Sequence, residues 1–189
     1  MEEMREGVDS SITIDLVRFT TQELKAIWNI GFTKEKPEWA KLNAPYFNDY
    51  RVFKDVALFE SSKIASFLRS DTCRCILVDG QPIGMVSKTW IDETTRWLEI
   101  GIVLYDTTWW GKGIATKVLE IWVDTIFKET KDLEHIGMTT WSGNIAMMRV
   151  AKKCGFTKEG QIRKVRYYRG VYYDSLKYGI LREEWNRKK

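Results

Sequence analysis

Apolar and polar positions alternate from Ile12 to Arg18, the period of a half-buried strand. Thr20-Thr21-Gln22-Glu23 follows and predicts a helix through Ile30, because Thr20 and Glu23 can each satisfy a backbone N–H of the first turn. Residues 31–70 read as helical and irregular, broken at Pro37 and Pro45, and are rich in rings from Phe32 to Phe67. From Cys73 the pattern turns strand-like. Cys73–Val78 leads into Asp79-Gly80, a hairpin turn, and then into Pro82–Trp90. A second turn at Asp92-Glu93 precedes a strand at Arg96–Leu104. Ile114, Val118, Trp122 and Ile126 repeat every fourth residue along one face of a helix over Gly113–Lys128. His135–Thr140 is a short strand. Asn144 can cap a helix that runs to Cys154, with Gly155 suited to the left-handed position after it. Thr157–Tyr168 and Val171–Leu181 form a long hairpin about Arg169-Gly170.

A helix between the strands at 96–104 and 135–140 implies a right-handed parallel crossover inside an otherwise antiparallel sheet. The expected fold is therefore α/β (α+β), a mixed, mainly antiparallel seven-stranded sheet flanked by helices, with one parallel pair where a cleft can open. No repeat, low-complexity tract or linker divides the chain, so residues 1–189 read as one domain.

Composition removes several classes of function. No apolar run approaches the roughly 20 residues that span a bilayer. The charged start MEEMREGVDSS has no apolar core and does not read as a secretion signal. Three cysteines (Cys73, Cys75 and Cys154) have no framework spacing, which points to a reducing, cytoplasmic setting. A single histidine, His135, leaves no multi-histidine metal site, and no metal is expected. Residues 149–189 carry 13 basic and 4 acidic side chains, an excess that fits an anionic ligand. No Arg-rich run or aromatic RNA-binding motif supports nucleic acid as that ligand.

The segment with the clearest chemistry is Trp109-Trp110-Gly111-Lys112-Gly113-Ile114-Ala115-Thr116. It follows a strand and opens a helix. Two glycines allow a tight turn whose N–H groups point the same way, and the helix start adds unpaired donors and the positive end of its dipole. Such a turn suits a phosphate or pyrophosphate. A plain tight turn before a helix gives the same local pattern. It is neither a P-loop nor the three-glycine dinucleotide fingerprint.

Three blocks, LEIGIVLYDTTWWGKGIATKVLEIWVD, NIAMMRVAKKCGFTKEGQIRK and YYRGVYYDSLKYGILREEW, together resemble the GCN5-related N-acetyltransferases. More narrowly they resemble the RimJ/RimL branch, which acetylates protein N-termini and assorted amines. The resemblance is dense from Cys73 to Trp185 and thin before residue 70. It implies acetyl-CoA as acetyl donor. Its Gln/Arg-x-x-Gly-x-Gly/Ala motif would place the pyrophosphate on Trp110, Gly111, Lys112, Gly113, Ile114, Ala115 and Thr116. Trp110 departs from the family's Gln/Arg, which weakens a side-chain contact and leaves the backbone donors. The resemblance also implies a bulge in the strand before this turn and pantetheine paired with the backbone of Ile102, Val103 and Leu104. Asn144 would contact the pantetheine arm or serve as a helix cap, and the two roles are compatible. Where this branch often has Ser, the chain has Met147, whose thioether has no proton to give.

Acetyl transfer to an amine needs a deprotonated nitrogen, donors for the developing oxyanion and a departing thiolate. Glu99 is the candidate base. By strand alternation it shares a face with Trp97, Gly101 and Val103, and Gly101 would leave room for substrate. A strand carboxylate paired with a cation fits the same position, as does a base acting through water. His135 ranks below it, and Cys154 lacks a basic partner that would make it a nucleophile. The ring-rich segment 31–70 is either the acceptor wall or a secondary core. The implied activity is acetyl transfer to a primary amine, such as a protein N-terminus, by direct attack in a ternary complex in a monomer or homodimer. A polyamine or antibiotic acetyltransferase and a non-catalytic acyl-CoA-binding module are the alternatives.

Overall fold

The computed structural model describes residues 12–188. The charged N-terminal stretch discussed above lies outside the described residues. Strand β1 (Ile14–Val17) leads into α1 (Thr21–Gly31), which the predicted capping box starts: the Thr20 hydroxyl accepts from Gln22 N–H, and Glu23 accepts from Thr20 N–H at 2.9 Å. Single 3-10 turns at Glu38–Lys41 and Pro45–Phe47 follow, and then two short helices, α2 (Val56–Glu60) and α3 (Lys63–Leu68). The remaining elements are β2 (Cys73–Val78), β3 (Gln81–Asp92), β4 (Trp97–Leu104), α4 (Ile114–Glu129), β5 (His135–Trp141), α5 (Ile145–Lys153), β6 (Thr157–Tyr168), β7 (Val171–Leu181) and α6 (Arg182–Lys188).

The strands form one sheet in the order β1-β2-β3-β4-β5-β7-β6, antiparallel throughout except for β4 and β5. Each face carries its own core. Leu98 and Ile100 of β4 pack with Trp122 and Ile126 of α4 and with Tyr178 and Ile180 of β7. Val103 faces the other way, with Leu24, Ile27, Phe32, Trp39, Phe59 and Tyr105. Strand alternation thus serves two layers at once. Phe32, Phe53, Phe59 and Tyr50 belong to the second layer, so much of the ring-rich segment is core.

The parallel pair is short. β4 registers with β5 at Leu98↔Ile136 and Glu99↔Gly137 and no further. Beyond that point β4 stays paired with β3 to Gly84↔Leu104, and β5 stays paired with β7 to Trp141↔Ser175. Each strand keeps its outer neighbour, and the two diverge. The bulge implied by resemblance is absent from this part of β4, because its register with β3 is unbroken from Leu104 to Leu98. The irregularity lies further on, between Trp90 and Asp92 of β3. Divergence of whole strands, not a local kink, opens the sheet.

Helix α6 has no counterpart among the expected elements. Its seven residues are too few to show a periodicity, and Glu184 accepts from Leu181 N–H at 2.9 Å to set its start. Arg182, at its first position, donates to the carbonyls of Leu133 (2.8 Å), Phe127 (3.0 Å) and Thr130 (2.6 Å). That guanidinium closes the end of α4 with charge-assisted bonds.

Candidate active site

A cleft of about 620 Å³ runs along the divergence of β4 and β5. One end lies at the start of α4. Gly113 (φ +78°) is its N-cap, and no side chain caps the helix. The first-turn amides of Ile114, Ala115 and Thr116 therefore lack both intrahelical and side-chain acceptors. Gly111 (φ +74°) turns the chain immediately before, and a Cβ at either glycine would meet nothing within 4 Å. Their positive φ is what requires glycine, and the space in front of them is open. Arg149 and Lys153 of α5 line this same end and form no ion pair among the described residues. Uncapped amides, a helix dipole and two unpaired cations suit a diphosphate.

Ile102, Val103, Leu104, Trp110, Gly111, Gly113, Ile114, Ala115, Thr116 and Asn144 all line this cleft. Lys112 does not; its ammonium lies 5.0 Å over the Trp109 ring, so its side chain braces the turn from outside. Tyr105 N–H donates to the Ile83 carbonyl at 2.9 Å, which by antiparallel alternation directs the peptide groups of Ile102 and Leu104 toward the gap and those of Val103 toward β3. The Leu104 carbonyl already accepts the Trp110 indole N–H at 3.2 Å, locking the end of β4 to the glycine turn. Asn144 is a helix cap: its side-chain oxygen accepts from Met147 N–H at 3.0 Å, and its amide nitrogen donates to the Leu42 carbonyl at 3.3 Å. Met147 lines the cleft beside it.

The far end is roofed by Trp39, Leu42, Asn43, Ala44 and Tyr46, five residues of the ring-rich segment. Tyr46 packs edge-on to Trp141 at 5.6 Å, and Arg166 of the β6–β7 hairpin sits 4.9 Å over the Tyr46 ring. Sequence periodicity did not mark Arg149, Lys153 or Trp141, whose spacing is that of ordinary helix and strand positions. No carboxylate lines the cleft among the described residues.

Glu99 lies at the point where β4 and β5 part. Its carboxylate accepts from the Thr139 hydroxyl at 2.7 Å and from the Lys177 ammonium at 3.0 Å. Thr139 lines the cleft, and Glu99 stands behind it. His135 is paired with Glu159 at 2.9 Å, away from the cleft. Burial pushes the Cys154 thiol up to about 11, and its sulfur lies against the Thr116 carbonyl. Burial, with the Glu23 charge nearby, pushes Cys75 up to about 12. No cysteine lines the cleft among the described residues, which leaves no thiolate placed for a covalent acyl intermediate.

The site is thus a mixed sheet parted at its one parallel pair, with an uncapped helix start at the mouth. Residues 14–157 match the family model described as Acetyltransferase (GNAT) domain, and the chain belongs to that family. It is similar to YdaF of Bacillus subtilis (strain 168), a provisional ribosomal N-acetyltransferase by its name, at 31% identity over 60% of this chain and 61% of that protein. It is also similar to YokL of the same organism, named as an uncharacterized SPbeta prophage-derived N-acetyltransferase, at 30% identity over 62% of this chain and 67% of that protein. The match thus spans about three fifths to two thirds of these curated relatives. Among solved structures, the fold is shared with a GNAT-family acetyltransferase from Bacillus anthracis (TM-score 0.69, 20% identity, 91% of this chain and 95% of that chain). It is equally shared with spermidine N-acetyltransferase from Vibrio cholerae in complex with CoA and spermine (TM-score 0.69, 19% identity, 94% and 99%).

Proposed function

We propose that this protein transfers acetyl from acetyl-CoA to the N-terminal amine of a protein, as the RimJ/RimL branch does, by direct attack within a ternary complex. The observation that carries this reading is the continuity of one cleft. It joins the uncapped amides of α4, the parted strands and an aromatic chamber at the far end. The α4 amides with Arg149 and Lys153 would hold the diphosphate, and the peptide groups of Ile102 and Leu104 would meet the pantetheine arm. The chamber under Trp39, Leu42 and Tyr46 would receive the acceptor.

An N-terminal amine suits such a chamber better than a polyamine does. A polycation would enter a wall that offers no carboxylate among the described residues, leaving its further charges unmatched. An α-amine titrates near ~7.7–8.0, so roughly a quarter of it is already neutral near physiological pH, far more than of a lysine-like amine near ~10.4, and a modest base suffices. Glu99 takes that role in this reading. With three free, buried cysteines, and no helix among the described residues long and apolar enough to cross a membrane, we place the enzyme in the reducing cytoplasm.

The test is release of free thiol from acetyl-CoA with a panel of short peptides, spermidine and an aminoglycoside. Turnover with peptides bearing a free N-terminus, lost when that amine is blocked, is the expected result. Turnover with spermidine alone would overturn the acceptor assignment. Tight CoA binding without thiol release from any amine would overturn catalysis and leave a binding module.

A further inference from the structure

Side chains from three strands meet where β4 and β5 begin to part. Thr139 of β5 donates its hydroxyl proton to Glu99 Oε2 at 2.7 Å. Lys177 of β7, paired with Thr139 across the ladder, donates to Glu99 Oε1 at 3.0 Å and to Thr139 Oγ1 at 2.6 Å. Of the three, Thr139 alone lines the cleft, while the Glu99 side chain is 14% exposed. A hydroxyl offers one donor and two acceptor sites. Here the proton goes to Glu99 and one lone pair takes Lys177, which leaves one lone pair for the cleft.

On the strength of the acetyl-transfer reading above, we propose that Thr139 is a catalytic residue that relays the acceptor's proton to Glu99, with Lys177 as its positioning residue. The acceptor ammonium donates to the remaining lone pair of Thr139. As its N–H bond breaks, an O–H bond forms on Thr139. The original Thr139 O–H bond breaks and its proton ends on Glu99 Oε2. The hydroxyl is unchanged, the nitrogen becomes neutral, and the carboxylate becomes a carboxylic acid. Lys177, bonded to both oxygens, keeps the hydroxyl rotor turned toward Glu99. His135 and Glu159, on the same side of the sheet beyond Gly137, are occupied with each other and take no part.

The experiment uses the whole chain, with saturating acetyl-CoA and a peptide that has a free N-terminus, and reads thiol release alongside CoA affinity by calorimetry. T139V removes the relay at constant shape and should lower kcat by about 10²-fold, as should E99Q, with CoA affinity and acceptor KM within roughly threefold of wild type. T139S should restore most of kcat. K177M should lower kcat by about tenfold and K177R should recover it, the split expected of a group that orients the relay. If T139V fails to bind CoA, T139A serves in its place, with CoA binding as the check of folding. An active wild type whose T139V turns over at the same kcat, or whose T139S is as impaired as T139V, overturns the relay and leaves acetyl transfer standing. A wild type that releases no thiol with any amine overturns acetyl transfer and the relay with it.

Discussion

The indole N–H of Trp141 donates to the Leu42 carbonyl at 2.9 Å, joining the end of β5 to the segment that roofs the far end of the cleft. The two residues are 99 positions apart, so this bond forms only when the two layers close. It fixes the roof over the parted strands. W141F keeps most of the apolar surface and removes the donor, at a cost of about 1 kcal/mol. Acceptor KM should rise roughly fivefold while CoA affinity stays unchanged, because the α4 amides take no part in this bond and Asn144 still donates to the Leu42 carbonyl. Calorimetry with CoA beside steady-state kinetics reads both, and a fall in CoA affinity with an unchanged KM would contradict this division of the cleft.

Gly113 tests the donor end. A side chain there meets open space but must adopt φ +78°, which costs any L-residue about 1–2 kcal/mol. G113A isolates that strain. G113E adds a negative charge in front of the amides of Ile114 and Ala115 and should bind acetyl-CoA at least about tenfold more weakly than G113A. Equal affinities for the two variants would remove the diphosphate from this turn.

Arg182 tests how the distant end of α4 is held. Its guanidinium serves three carbonyls and lies 4.7 Å over the Phe127 ring. R182A removes the charged donor from all three carbonyls, of which Thr130 keeps only the Leu133 N–H at 3.2 Å, and should lower stability by about 2–3 kcal/mol in urea unfolding, with no change in CoA affinity once folded. A loss under about 0.5 kcal/mol, the range of an ordinary surface substitution, would contradict the capping role.

The buried thiols predict an alkaline weakness. Cys154 and Cys75 titrate near about 11 and about 12 in the folded chain, raised by burial above the ordinary thiol value. The folded state holds these protons to higher pH than the unfolded state does, so their contribution to stability is whole below about pH 8.5. It is lost as pH climbs from there through the folded values. Urea midpoints should fall steadily between about pH 8.5 and 10.5, and C154A should flatten part of that slope. A midpoint that holds level across that window would contradict it. The native thiols should also alkylate far more slowly than in urea at pH 8, since almost none is ionised.

Much of the fold was legible because its signals are local. Asp79-Gly80 and Arg169-Gly170 sit between alternating runs, and each forms a two-residue hairpin turn with both residues at positive φ. Thr20 and Glu23 act within a single helical turn. Of the residues that the glycine turn and the strand before it marked, Lys112 alone stands outside the cleft. The order of the last two strands was less plain. β7 inserts beside β5 and leaves β6 at the edge, because β7 carries Leu176, Tyr178 and Ile180 toward the core while most of β6 is exposed. That difference in apolar content was present in the sequence, although a hairpin signal does not say which arm faces inward.

Residue spacing alone determined most of the elements, the helix caps at Thr20 and Asn144, the hairpin turns and the glycine bend before α4, since each depends on atoms within a few positions of one another. Tertiary structure alone decided that β4 and β5 separate after two pairs, that Trp141 holds Leu42 over the gap, and that Glu99 meets Thr139 and Lys177. Those partners lie 40 and 78 residues from Glu99. Contacts at such range are set by which strands lie side by side, and no pattern along a single strand encodes its neighbour.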